Sequence, residues 1–208
     1  MINVKAIFEQ RKNEVEEYFN FVNSYTPLNA NDNLYKILKS NMILMLYNLV
    51  ESSISNAIEE IHNVIHANSI SFNSLKGELK KLIILQTKRI DTNKFIEKIN
   101  DIATDIIKHS FQRKEFFNGN VDRTTITKLS NKYGFNNHTD YAKTKAGICL
   151  ENIKNKRNDL AHGVYSFTEV GREYTIQDLE EKKNETINYI SDILDNIESY
   201  LANKEYCA

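Results

Sequence analysis

Four side chains in the C-terminal half, Lys154, Arg157, Asn158 and His162, are spaced to act together. On a helix, Lys154, Asn158 and His162 fall one turn apart on one face, and Arg157 flanks that face. An imidazole exchanges protons near neutral pH, and a guanidinium grips a phosphate through two parallel hydrogen bonds without losing its charge. Metal-free phosphodiester cleavage needs those two functions, a proton carrier and a fixed cation facing the charge that develops at phosphorus. On RNA the adjacent 2'-hydroxyl can be the nucleophile, so neither an activated water nor a metal is required. The same residue types also suit the C-terminus of a helix, where they cap it and complement its dipole, so spacing alone leaves a structural role open.

Other chemistries are hard to write into this chain. Its six glycines are isolated, none within three residues of another, which removes dinucleotide and P-loop fingerprints. HExxH, GxSxG and CxxC are absent. His62 and His66 lie four residues apart with Glu59 nearby, a spacing that can face a metal. No third ligand is placed by sequence, so they read as a polar helix face, and neither metal nor cofactor is expected. Cys149, between Ile148 and Leu150, reads as a small buried hydrophobe, and with only Cys207 beside it there is no disulfide framework.

The elements that must position the four residues are helical. Among 208 residues there are 6 glycines, 1 proline and no tryptophan, with 41% hydrophobic and 26% charged residues. Collagenous, disordered and sandwich-like readings need more glycine, proline or turn residues than that. Val4, Ile7, Phe8, Val15, Tyr18, Phe19 and Val22 mark a first amphipathic helix, broken at Tyr25-Thr26-Pro27-Leu28. Asp32 or Asn33 can cap a second helix with apolar positions from Leu34 to Ile65, the expected spine of the core. After a polar break at 69–73, a short helix is expected through Leu75, Leu79, Leu82, Ile83 and Leu85, and another at 95–107. A turn over 116–122 leads to a short helix with Ile126, Leu129 and Tyr133, ending at Gly134. A helix is expected over 146–162, stopped by Gly163, then an irregular stretch over 164–174. Thr175 and Asp178 form a capping box that opens a last helix reaching Leu201. With no repeat and no linker, residues 1–208 read as one all-α domain, with 69–141 as an insertion or variable helical region.

Net charge is -1, yet residues 76–157 hold 18 basic and 9 acidic side chains while 158–208 hold 4 and 11. Such a basic middle section suits a polyanion such as RNA; the alternative is that these charges only solvate opposite faces of a bundle. The charged first twenty residues do not fit a signal peptide, which predicts a cytoplasmic protein. The longest apolar run, Met42 to Val50, has nine residues, short of the roughly 20 that a membrane span requires, so no membrane partner is expected.

The segment Arg157-Asn158-x-x-x-His162 resembles the Arg-x4-6-His motif of the HEPN superfamily of all-α ribonucleases, with its preferred Asn directly after the Arg. Three further segments resemble one bacterial branch: Leu46-Tyr47-Asn48-Leu49-Val50-Glu51, Gly119-Asn120-Val121-Asp122 with Lys132-Tyr133-Gly134-Phe135, and Leu160-Ala161-His162-Gly163 running into Ser166-Phe167. The resemblance implies a helical bundle on a HEPN-type core with an additional helical region in the middle of the chain. It also implies a homodimer whose two motifs share one cleft and cleave RNA without metal, leaving a 2',3'-cyclic phosphate. Such proteins serve as toxins or antiphage effectors beside a cognate antitoxin or defence-system partner. Carried over, Arg157 and His162 are catalytic and Asn158 orients the phosphate or the imidazole. Glu51, Asn48, Lys154 and Tyr165 would support the site, Glu51 alternatively by pairing with Arg157. Some members continue as Arg-x4-His-x-Tyr and are silenced by modification of that Tyr, whereas here Tyr165 follows His162 by three residues. The superfamily also contains non-catalytic modules that bind RNA, nucleotide or a protein partner, and this is the alternative reading.

Overall fold

The 35-residue helix α2 (Asn33–Ala67) carries most of the core and organises everything around it. The computed structural model describes residues 1–29, 31–87 and 119–208. Asp32 starts α2 by accepting from the Tyr35 N–H, which satisfies one of the donors a helix start leaves orphaned. At about 1.5 Å per residue, α2 is about 50 Å long. It is buried on successive turns at Met42, Ile43, Leu46, Tyr47, Val50, Ile54, Ala57, Ile58, Ile61 and Ile65.

Helix α1 (Ile2–Ser24) lays Val4, Phe8, Val15, Phe19 and Val22 against this core. After a 3-10 turn at Phe72–Ser74 comes α3 (Gly77–Thr87), packed on α4 (Arg123–Tyr133). Asp122 caps α4 through the Thr125 N–H, and Gly134 ends it at φ 88°, a left-handed conformation that suits glycine. Helix α5 (Tyr141–Thr144) and a 3-10 turn lead into α6 (Cys149–Ala161), followed by α7 (Phe167–Arg172) and α8 (Ile176–Ala202). Helices α1, α6, α7 and α8 all pack on α2. Among the described residues there are eight α-helices and no strand, with one isolated bridge between Leu75 and Cys207, so the fold is all-α. The described residues of 69–141 share this core through Leu75, Leu79, Leu82, Ile83, Val121, Ile126, Leu129 and Tyr133.

Several sequence expectations are corrected here. The helix expected over 146–162 begins instead at Cys149, because Ala146 and Gly147 hold left-handed conformations at φ 53° and 71°. The Tyr189 ring packs close to Gly147, where a Cβ would lie 2.8 Å from it, so this position has no room for a side chain. The stretch expected to be irregular contains α7, opened by a capping box between Ser166 and Glu169. Helix α7 presses its backbone onto α2, where a Cβ on Gly171 would stand 1.8 Å from the Lys36 carbonyl oxygen. Ile7, Leu34 and Leu85, which fit the apolar stripes, are exposed at 38%, 52% and 58%. The helix expected at 95–107 and the first part of the turn at 116–122 lie outside the described residues.

Candidate functional site

Gly163 shapes the end of α6. It takes φ 68°, its N–H donates to the Leu160 carbonyl and the Val164 N–H to the Asp159 carbonyl, a Schellman closure that ends the helix at Ala161. His162 therefore caps α6, its backbone N–H donating to the Asn158 carbonyl at 2.9 Å. Its imidazole is exposed to solvent.

One turn back, Arg157 is held on several sides. Its guanidinium lies over the Tyr47 ring of α2, 4.6 Å from Cζ to the ring centre. Nη1 donates to the Asn158 side-chain oxygen at 2.9 Å and to the Gly119 carbonyl at 3.3 Å. The Asn158 amide nitrogen in turn donates to the Asn120 side-chain oxygen at 3.0 Å. Asn158 thus spends both ends of its amide on Arg157 and Asn120, which orients the guanidinium rather than the imidazole.

The Gly119–Asp122 segment is tied to both helices. The Val121 N–H donates to the Tyr47 hydroxyl at 3.2 Å, fixing the ring beneath Arg157. Burial, with the Glu51 carboxylate beside it, pushes the Tyr47 hydroxyl up to about 12, so this phenol stays protonated. Asp122 pairs with Lys154 at 2.6 Å. Burial works against the Asp122 carboxylate, but the Lys154 ammonium and the Thr125 N–H outweigh it and hold the group below the usual aspartate range. Gly119 takes φ 79°, and a Cβ there would lie 3.0 Å from Arg157 Nη1. The absence of a side chain at Gly119 lets backbone and guanidinium meet.

The structure brings Arg157 and Asn158 into direct contact, and His162 follows Asn158 by one turn as the cap of α6, with its ring exposed. Glu51 stands by Tyr47 and forms no ion pair with Arg157. Asn48 is not brought to this place; it is exposed and shares a small cleft with Arg11, Glu14 and Met45 on the α1 side of α2. Lys154 is neutralised by Asp122. Tyr165 is 45% exposed, with the Lys156 ammonium 5.2 Å from its ring centre, so it is a surface ring three residues beyond His162. Residue types and spacing on α6 do not single out Tyr47, Gly119, Asn120 or Asp122. Their only signal was membership in the short segments that carried the family resemblance.

His62 is buried, its Nε2 2.8 Å from the Tyr133 hydroxyl. Among the described residues no three His, Cys, Asp or Glu side chains gather as a metal site. Cys149 is buried 3.5 Å from the Thr186 hydroxyl, and burial pushes its thiol up to about 11, far from a reactive thiolate. Among the described residues no helix is long and apolar enough to cross a membrane.

No curated protein and no solved structure matches the chain. The model of one protein family, MAE_28990-like HEPN, matches residues 3–206, nearly the full length and therefore all of the elements just described. With an all-α bundle and this end-to-end match, the chain belongs to the HEPN family.

Proposed function

We propose that this protein is an endoribonuclease that cleaves RNA without metal, at a cleft completed by a second copy of the chain. The observation that carries the reading is the pairing of a fixed guanidinium with an exposed imidazole at one helix end. Arg157 is held by Tyr47, Asn158 and Gly119 before any substrate arrives, while the His162 ring one turn on is free to meet solvent and substrate. Pre-set charge is worth most where charge develops in the transition state, because no reorganisation is needed at the moment of reaction.

In this mechanism His162 takes the proton of the 2'-hydroxyl and the 2'-oxygen attacks phosphorus. The P–O5' bond breaks and the 5'-oxygen gains a proton, delivered by the His162 of either copy. The products are a 2',3'-cyclic phosphate and a 5'-hydroxyl. Arg157 faces the pentacoordinate phosphate, and Asn158 and Tyr47 act as positioning residues through it. A cytoplasmic role as toxin or antiphage effector, restrained by an antitoxin or a defence-system partner, belongs to the same proposal and rests on the resemblance.

A shared cleft is testable by mixing. Arg157→Ala and His162→Ala proteins, each inactive alone, are co-refolded into mixed dimers. Recovery of RNA cleavage supports a site that draws Arg157 from one copy and His162 from the other; no recovery from a verified mixed dimer rejects the shared cleft. A non-catalytic, RNA-binding HEPN module is the second reading. It is favoured by the engagement of Arg157 Nη1 with two acceptors of its own chain, an arrangement that a capping residue would also show.

A further inference from the structure

Beyond the motif, α6 continues back along a second surface that the cleavage chemistry does not use. Helix α4 lies beside its N-terminal half, and between them is an open groove of about 530 Å³. Arg123, Thr124, Thr127 and Lys128 line it from α4, and Ile148 and Glu151 from the α6 side. Arg123 and Lys128 are exposed, and neither forms an ion pair with any described residue. Lys154 and Lys156, by contrast, are matched with Asp122 and Glu173. Asp122 lines the groove, and its pairing with Lys154 on the next turn of α6 marks the end toward the motif. One turn further on stand Asn158 with Asn120, and then His162.

Ile148, Glu151, Lys154, Asn158 and His162 follow one another at three- and four-residue steps along α6. From Ile148 to His162 it covers about 21 Å at the α-helical rise, a length that several nucleotides of an extended strand would occupy. We propose that the groove between α4 and α6 is the subsite for the RNA backbone leading away from the scissile phosphate, with Arg123 and Lys128 as its phosphate contacts. The proposal rests on the RNA-directed reading of the motif. Threonine hydroxyls donate to phosphate oxygens, and Ile148, 57% exposed at the rim, offers an apolar surface to a ribose or base. Glu151 repels a phosphate but accepts from a ribose 2'-hydroxyl, which favours RNA over a featureless polyanion. A protein partner would want a larger apolar centre than one exposed isoleucine.

The test measures binding of a fluorescently labelled single-stranded RNA to full-length His162→Ala protein, which removes cleavage from the reading. The double variant Arg123→Glu/Lys128→Glu is compared in that background with Arg11→Glu/Lys12→Glu on α1, matched in charge change, and thermal melts confirm that all are folded. The groove variant is expected to bind about tenfold more weakly, with the slope of log affinity against log salt reduced by about 1.4, as for two lost single-strand phosphate contacts. The α1 variant is expected to bind as the parent does. Equal binding by the groove variant and its parent overturns the groove, as does equal weakening in the α1 variant, which would indicate net charge alone. If the parent binds and wild type cleaves while the groove variant binds normally, the ribonuclease reading stands and the groove falls. If the folded parent binds no RNA, both fall.

Discussion

The Arg157 guanidinium is stacked on the Tyr47 ring, 4.6 Å from Cζ to ring centre, and this contact joins the motif helix to the spine of the core. Tyr47 is fully buried and its hydroxyl accepts from the Val121 N–H, so the platform is itself fixed. A half-buried stack of this kind contributes about 1 kcal/mol. The Arg157 rotamer is therefore set by core packing.

Tyr47→Phe keeps the ring and loses the bond to Val121, while Tyr47→Leu loses both. Tyr47→Phe is expected to cost about 1 kcal/mol in a denaturant melt and to retain most RNA cleavage. Tyr47→Leu is expected to lower kcat strongly with little change in KM. Similar kinetic losses in the two variants would show that the ring is not the platform.

Gly119→Ala places a Cβ 3.0 Å from Arg157 Nη1 on a backbone at φ 79°. The left-handed conformation costs a side-chain-bearing residue about 1 kcal/mol, and the guanidinium must also move. Melts and cleavage assays on one preparation should show a loss of activity far beyond the loss of stability. Asn120→Ala leaves the backbone alone and is expected to fall between Gly119→Ala and wild type.

Asp122 makes stability depend on acid. Its folded carboxyl is held below the unfolded value of about 3.9, so its contribution is complete above that pH and is lost as pH falls through the folded value. Wild type should therefore lose stability below about pH 4 more steeply than Asp122→Asn, measured by urea melts from pH 7 to pH 3. At neutral pH the variant is expected to be about 2 kcal/mol less stable, because the charged hydrogen bond to Lys154 is lost. Parallel curves for the two proteins would contradict this.

Ser166→Ala removes the cap that opens α7, with an expected cost of about 1 kcal/mol. Gly171→Ala meets the backbone of α2 itself and is expected to cost several times more. A ranking reversed from this, in thermal melts of the two variants, would mean that α7 is held differently on α2.

The helical plan could be read from periodicity because each long helix has a stripe facing one core: α1 through Val4 to Val22, α2 through Met42 to Ile65, α8 through Leu179 to Leu201. Local signals were equally direct at Asp32, Gly134 and the Thr175–Asp178 box. The start of α6 is not legible, because the apolar pattern runs on through Ala146 and Gly147 while their backbones take positive φ, a conformation that periodicity does not report. Helix α7 is too short, at six residues, to show a periodic stripe, although the Ser166–Glu169 capping box that opens it is a local signal in the sequence. At the candidate site the spacing of Arg157, Asn158 and His162 was visible along one helix. What holds Arg157 was not, since Gly119 is 38 positions away and Tyr47 comes from another helix. Asn48 shows the limit of proximity in sequence: it neighbours Tyr47 in the chain yet points to the α1 side of α2.

The central claim is tested most directly by incubating wild-type and His162→Ala protein with total and transfer RNA in excess EDTA and identifying the fragment ends. Cleavage by wild type alone, leaving 2',3'-cyclic phosphate and 5'-hydroxyl ends, is the predicted result. Equal cleavage by folded His162→Ala protein, or cleavage abolished by EDTA, would contradict it.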